Sequence, residues 1–260
     1  MIFPLYDENA ARRVPVVTCG LILINVAALL WLNSLSPLQH LQATAHFGFV
    51  PKRIQQLSDP NLVVHVVVGQ DPQRRPLFLP VEADQAGILT SLLTTMFLHA
   101  GWWHLLGNMW FLWIFGNNVE DRLGHVLFLL FYLLGGLIAT GCHWAFEPYS
   151  EFRVIGASGA VAAVLGAYAV TFPHARVRCL IFIVIFITLI DVPAILVLGV
   201  WIVGQILSAL NALGRVNLTG GVAWWAHVGG FAAGALLMPT LASLVKPSDE
   251  TPGQEEWWKT

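Results

Sequence analysis

Long stretches without a charged side chain recur along this chain, and they restrict it to folds that lie within a lipid bilayer. Residues 14–33 form one such stretch and residues 87–118 another. A helix of about 20 apolar residues crosses ~30 Å of hydrocarbon. Only 11% of all residues are charged, against about 25% in soluble domains. We therefore expect an all-α integral membrane protein, because a helix satisfies its backbone hydrogen bonds internally.

The charge balance and the cysteines exclude several other classes of protein. The formal net charge is −2 and no nucleic-acid-binding motif is present, so we expect no nucleic-acid partner. Cys19, Cys142 and Cys179 all lie in apolar stretches, and their odd number argues against a disulfide framework. We predict no cofactor and no metal ion, and the sequence does not indicate an oligomeric state.

The chain is predicted to consist of one membrane domain and two polar ends. Residues 1–13 are predicted to be a cytoplasmic N-terminal segment, and residues 246–260 a polar C-terminal tail. The membrane domain between them, residues 14–245, contains a large first loop over about residues 34–101. Within that loop, the valine-rich patch at residues 63–68 predicts some β-structure.

Six spans are expected in the membrane domain. Asp191 and Pro193 interrupt the apolar run 179–210, which favours one crossing preceded by an interfacial segment over two short crossings. With one crossing there, spans two, four and six run in the same direction and begin on one membrane face. The expected spans are residues 14–33, 102–115, 126–146, 158–172, one crossing within 179–210, and 222–245.

The orientation follows from the basic residues at the beginning of the chain. Arg12 and Arg13 directly precede the first span, which favours a cytoplasmic N-terminus. Six spans then leave both termini in the cytoplasm, and spans two, four and six begin on the outer face. Short termini without a targeting segment suit a bacterial cell (inner) membrane.

Four polar side chains stand near the beginnings of spans two, four and six. His104 and Asn108 are four residues apart and therefore share one helix face. Ser158 begins the fourth span, and His227 lies near the beginning of the last. Polar groups inside a span are costly and require a reason. Because the three spans begin on one face, we expect these side chains to form one site.

This combination of side chains fits nucleophilic catalysis. A serine and a neutral histidine within hydrogen-bond reach make a nucleophile and its general base. His104 and Asn108 supply donors where a tetrahedral oxyanion would develop. No carboxylate is placed to orient His227, so Ser158 and His227 are predicted to act as a dyad rather than as part of a triad.

Glycines flank the serine and follow the histidine. Gly156 and Gly159 allow the backbone to approach a substrate, and Gly230 and Gly234 share the helix face of His227 and permit close helix contact. A structural alternative treats Ser158 as a helix N-cap and these glycines as packing residues. The remaining histidines are interpreted as packed or interfacial; they are His40, His46, His65, His125, His143 and His174.

Several motifs occur in the order and spacing of one known family. Together they make the chain resemble the rhomboid intramembrane serine proteases, of bacterial type, over residues 47–237. The motifs are Phe47-Gly48-Phe49-Val50-Pro51, Met96-Phe97-Leu98-His99, His104-x-x-x-Asn108, Gly116 with Asn118-Val119-Glu120-Asp121-Arg122-Leu123-Gly124, Gly156-Ala157-Ser158-Gly159, and Ala226-His227-x-x-Gly230-x-x-x-Gly234.

The resemblance implies a six-transmembrane-helix bundle with a serine–histidine dyad in a water-filled cavity below the membrane surface. By the match, Ser158 is the nucleophile, His227 the base, and the oxyanion hole contains His104 and Asn108 with the backbone N–H of Ser158. The motif residues Glu120 and Arg122 would have a structural role in a cytoplasmic turn. The implied partners are the lipid bilayer and single-span membrane proteins, which are cut in or near the span.

Two departures from the family pattern are visible, and two alternatives stay open. Ala162 replaces a tyrosine that stacks on the histidine in some members, and a Trp-Arg pair found in some first loops is absent. One alternative is a non-catalytic rhomboid-like protein that binds or escorts membrane clients, although such proteins usually lack the serine or the histidine. The other takes His104 and His227 as haem or metal ligands, which leaves Ser158 and Asn108 unexplained.

Overall fold

Among the described residues, six α-helices form a bundle, and two short α-helices and two small sheets lie around it. The computed structural model describes residues 2–9, 11–73, 75–183, 186–213 and 221–245; the predicted polar tail lies outside them. The helices are α1 (Val16–Ser34), α2 (Pro37–Phe47), α3 (Gln85–Thr94), α4 (Trp102–Leu123), α5 (His125–Phe146), α6 (Ser158–Thr171), α7 (Ala194–Ala212) and α8 (Trp224–Leu244), and the strands are β1 (Ile2–Asp7), β2 (Val64–Gln70), β3 (Pro76–Val81), β4 (Arg176–Ile183) and β5 (Phe186–Pro193).

The six helices of the bundle match the six expected spans, which confirms the helical membrane bundle. Among the described residues, α1, α5, α7 and α8 are long and apolar enough to cross a bilayer. The second span is longer than expected, because α4 continues through Glu120, Asp121 and Arg122 before it ends at Gly124. The predicted turn over those residues is therefore wrong except at Gly124, whose φ of +76° breaks the helix.

α6 is the central helix, and small residues allow its neighbours to approach it closely. The side chains from Ala160 to Ala169 are all buried. A Cβ added to Gly234 of α8 would lie 1.8 Å from the Ala163 carbonyl oxygen, and one added to Gly230 would lie 2.2 Å from that of Gly159. The backbones of α6 and α8 therefore touch, which brings the beginnings of the two helices together.

The ends of α4 and α1 meet at a buried carboxylate. Glu120 is 1% exposed and accepts hydrogen bonds from the backbone N–H groups of Val17 and Thr18 at 2.8 and 2.7 Å. These N–H groups lie in the first turn of α1, where no intrahelical acceptor exists. Arg122 Nη2 donates to the Ala242 carbonyl of α8 at 3.0 Å. The two residues thus join α4 to α1 and α8.

The apolar run before α7 forms a hairpin rather than a simple interfacial segment. β4 and β5 are antiparallel, and β1 pairs with β4 to complete a sheet of order β1-β4-β5. The predicted N-terminal segment therefore contains regular structure, because its residues 2–7 form the edge strand of this sheet. The expected single crossing is confirmed, and it is α7.

The large first loop lies over the end of the bundle where α4, α6 and α8 begin. Its hairpin of β2 and β3 confirms the β-structure expected from the valine-rich patch. Val67 N–H donates to the Glu151 carbonyl at 3.0 Å, and Phe49 and Val154 exchange backbone hydrogen bonds of 3.1 and 2.7 Å. The loop is thereby fixed to the segment that leads into Ser158.

Candidate active site

Ser158 is the first helical residue of α6, at the end of a tight turn. The N-cap position belongs to Ala157, which makes no side-chain capping bond, so the interpretation of Ser158 as an N-cap is not supported. Gly156 has φ +131°, a conformation that favours glycine. A Cβ at this position would lie 2.7 Å from Cε1 of His104. The glycine therefore leaves room for the His104 ring beside the serine.

His227 lies in the first turn of α8 and is 8% exposed. Its Nδ1 atom is 2.7 Å from Oε1 of Gln205. Among the described residues, no hydrogen-bond partner lies near its Nε2 atom, which is buried. One ring nitrogen is thus held by a neighbour, and the other is available to exchange a proton.

The four predicted site residues line one cavity of ≈ 840 Å³: Ser158, His227, His104 and Asn108. Ser158 is only partly buried and lines the cavity wall. In the part of the chain that the structure describes, Ser158 and His227 are not hydrogen-bonded to each other. Catalytic hydrogen bonds are often long without substrate and shorten when it binds. The structure therefore brings the expected residues together in an open arrangement.

His104 and Asn108 occupy the first turns of α4 beside the serine. The Ala100 N–H makes a long, weak contact of 3.5 Å with His104 Nδ1, which favours the ring proton on Nε2. Asn108 Nδ2 donates to the His104 carbonyl at 2.9 Å, and its second N–H remains for another acceptor. These two donors, with the free N–H groups at the beginning of α6, form a candidate oxyanion hole.

His99 supports the turn that carries the serine. It is fully buried, and its Nε2 atom accepts a hydrogen bond from the Ala157 N–H at 3.4 Å. Burial, with a smaller contribution from His104, lowers the pKa of His99 to about 4. The ring therefore stays neutral near pH 7 and can accept this bond. The sequence placed His99 in a motif without assigning it a role.

Two side chains near His227 were missed by the sequence analysis. Gln205 and Trp201 are four residues apart in α7 and lie on one helix face toward His227. A signal for Gln205 was available, because it is the first amide after a wholly apolar run, and a polar group in a span requires a partner.

His143 was expected to be a packed or interfacial residue; it is buried, and it also lines the cavity. It is 5% exposed, and its Nδ1 atom has no hydrogen-bond partner among the described residues. As for metal binding, no group of three or more His, Cys, Asp or Glu in the described ranges is arranged to hold an ion.

A comparison with known proteins identifies the family. The family model described as "Rhomboid domain" matches residues 86–244, more than half of the chain. The chain belongs to the rhomboid family. The matched region contains all four site residues and every helix that carries them.

Individual relatives agree with this membership. "Rhomboid protein 1, mitochondrial" of Saccharomyces cerevisiae is 24% identical over 241 residues, 90% of this chain and 66% of the relative. "Rhomboid-like protein 11, chloroplastic" of Arabidopsis thaliana is 40% identical over 79 residues, 30% of this chain and 27% of the relative. "Presenilin-associated rhomboid-like protein A, mitochondrial" of Danio rerio is 30% identical over 145 residues, 54% of this chain and 34% of the relative. The chain thus spans less than two thirds of each relative.

Proposed function

We propose that this rhomboid protein is an intramembrane serine endopeptidase that cuts single-span membrane proteins in or near their transmembrane segment. One observation carries the proposal: Ser158 and His227 line the same cavity, and the Nε2 atom of His227 is buried there without a partner among the described residues. An unpartnered imidazole nitrogen beside a serine can serve as its general base.

The reaction begins with proton transfer from the Ser158 hydroxyl to His227 Nε2. The serine oxygen attacks the scissile carbonyl, and the carbonyl oxygen becomes an oxyanion. Donors from His104, Asn108 and the beginning of α6 stabilise that negative charge, assisted by the positive end of the helix dipole. The C–N bond then breaks as the imidazolium of His227 protonates the leaving amine, which leaves an ester on Ser158.

A water molecule completes the reaction. His227, neutral again, removes a proton from the water, and the resulting hydroxide attacks the ester carbonyl. The same oxyanion donors stabilise the second tetrahedral intermediate. The imidazolium returns its proton to the serine oxygen as the acid product leaves. The cavity gives this water a path to the serine, which a bundle closed at this end would exclude.

The protein is a multi-pass membrane protein, and the membrane in which it lies and its orientation there are a second proposal. We place the protein in a bacterial cell membrane with both termini in the cytoplasm and the cavity open to the outer face. Arg12 and Arg13 before α1 support this orientation. The printed names of several relatives refer to mitochondria or chloroplasts, so an organelle membrane is the competing location.

Labelling by a fluorophosphonate probe tests the proposed chemistry, because such probes react with activated serines. The purified wild type should label in detergent, and Ser158→Ala and His227→Ala should not. Ser150→Ala is the matched control, since Ser150 lines the same cavity but lies in the loop before α6; it should label like the wild type. A folded wild type that does not label would refute the proposal and favour the escort function.

A further inference from the structure

His227 is enclosed by side chains from two helices. The Trp201 ring of α7 lies with its centroid 5.8 Å from that of His227, at an interplanar angle of 33°. The Trp224 ring meets it edge-on, at 6.1 Å and 90°. Gln205 makes the one hydrogen bond to the ring that the described residues provide. Ala162 of α6 is fully buried but carries only a methyl group, so any hydrogen bond that orients the ring must come from elsewhere.

The hydrogen bond to Gln205 determines which ring nitrogen carries the proton. The amide oxygen Oε1 can only accept a hydrogen bond. With Oε1 placed toward the ring, the 2.7 Å contact puts the proton on Nδ1. The lone pair of the neutral ring is then on Nε2, the atom that the proposed reaction uses as base. Without this contact, both tautomers are accessible and only one of them is productive.

We propose that Gln205 is the positioning residue of the catalytic centre. It contacts Nδ1 of His227, as the aspartate of a serine–histidine–aspartate triad contacts Nδ1 of its histidine. This inference rests on the proposed protease function. Gln205 acts through His227: it holds the productive tautomer and the ring orientation, and its amide dipole stabilises the imidazolium that forms when Ser158 loses its proton. As a neutral group, it stabilises the imidazolium less than a carboxylate would.

The placement of Gln205 has a further consequence for α7. The serine, the histidine and the oxyanion donors all lie on α4, α6 and α8, whereas the group that orients the base lies on α7. The base is therefore correctly oriented only while α7 is packed against α8. A sequence that looks like a lipid-facing span thus contributes a polar group to the reaction centre.

The test compares three substitutions in α7 by the rate of fluorophosphonate labelling between pH 4 and 9. Gln205→Leu removes the acceptor at similar volume and should slow labelling about 10- to 100-fold. Asn211→Leu is the matched control, because it removes an exposed amide from the same helix; it should label like the wild type. The thermal unfolding midpoints of the two leucine variants should agree within a few degrees.

Gln205→Glu separates positioning from a merely structural role. It restores an acceptor, so labelling at neutral pH should return to within a few-fold of the wild type. Its carboxylate stabilises the protonated imidazole, so the acidic limb of the pH profile should move to higher pH by about one unit or more. A structural role would leave that limb in place, and this measurement remains decisive if Gln205→Leu does not fold.

The outcomes distinguish the two proposals. If the wild type labels and Gln205→Leu labels equally fast, the positioning role is refuted while the protease function stands. An acidic limb of Gln205→Glu that coincides with that of the wild type refutes the role as well. A folded wild type that does not label at all refutes the protease function, and the inference about Gln205 with it.

Discussion

Asp7, near the beginning of the chain, accepts a hydrogen bond from the hydroxyl of Tyr168 in α6, with the two oxygen atoms 2.5 Å apart. The same carboxylate oxygen, Oδ2, accepts a second bond from Asn118 Nδ2 of α4 at 2.8 Å. The edge strand β1 is thereby attached to two helices of the bundle, at the end opposite the cavity. Its attachment should depend on the protonation of one carboxyl group.

The first prediction concerns pH. Burial raises the pKa of Asp7 from 3.8 to about 6, so the folded protein binds this proton more tightly than the unfolded chain does. The contribution of Asp7 to stability is therefore fully present below about pH 4 and is lost as the pH rises through about 6. The thermal unfolding midpoint should fall between pH 5 and pH 7.5 by more in the wild type than in Asp7→Asn. Equal pH dependence in both proteins would contradict this.

The second prediction concerns the contact between α6 and α8. Gly234→Ala should lower the unfolding midpoint by several degrees and reduce labelling of Ser158, because the new Cβ meets the rigid carbonyl of Ala163. Gly199→Ala is the matched control, since nothing lies within 4 Å of its added Cβ; it should keep or slightly raise the midpoint through the better helix propensity of alanine. A stable, fully labelled Gly234→Ala protein would show that the helices can separate without cost.

The third prediction concerns the carboxylate that caps α1. Oε1 of Glu120 accepts the Val17 N–H, and Oε2 accepts the N–H and the hydroxyl of Thr18. In Glu120→Gln an amide NH₂ must replace one of these acceptors, so a buried donor is left unpaired. The cost is about 1–3 kcal/mol, measured as a lower unfolding midpoint. Glu82→Gln, at an exposed position, should change little, and a Glu120→Gln midpoint equal to that of Glu82→Gln would argue against the capping role.

The fourth prediction concerns the oxyanion hole. Asn108→Ala removes one donor to the developing charge and should slow labelling by roughly 10²- to 10³-fold, with an unfolding midpoint close to that of the wild type. Asn33→Ala removes an exposed amide near the end of α1 and serves as the control. If Asn108→Ala labels as fast as Asn33→Ala, Asn108 has no part in stabilising the oxyanion.

The sequence predicted the helices, and it predicted the four side chains that line one cavity in the structure, from local patterns. Helix beginnings at Trp102 and Ser158 follow glycine-containing turns and apolar runs, which are properties of neighbouring residues. The number of crossings between α6 and α8 then decided that Ser158 and His227 share one membrane face. The direction of a span and the depth of a residue within it depend only on position along the chain, so the hydropathy pattern can predict both.

The rest depends on contacts between distant residues. Pairing of β1 with β4 joins Phe3 to Leu180, and no local pattern in a short terminal segment predicts such a partner. Gln205 presented a related difficulty. Its polarity showed that it needs a partner, but only the packing of α7 against α8 shows that the partner is His227. Rotation of a helix about its own axis is weakly encoded when nearly all of its residues are apolar.

The shortness of α6 has a consequence for any protein that is cut at Ser158. With 14 residues, α6 is about 21 Å long, roughly 9 Å shorter than the hydrocarbon layer of a bilayer. A peptide bond that reaches Ser158 must leave its own helix while lipid still surrounds the flanking residues, and each backbone group released there is costly until it finds a new partner. For the proposed protease, cleavage then requires that the substrate helix unfolds locally before the substrate diffuses away. Transmembrane segments of low helix stability are therefore cut, and segments of high helix stability are not.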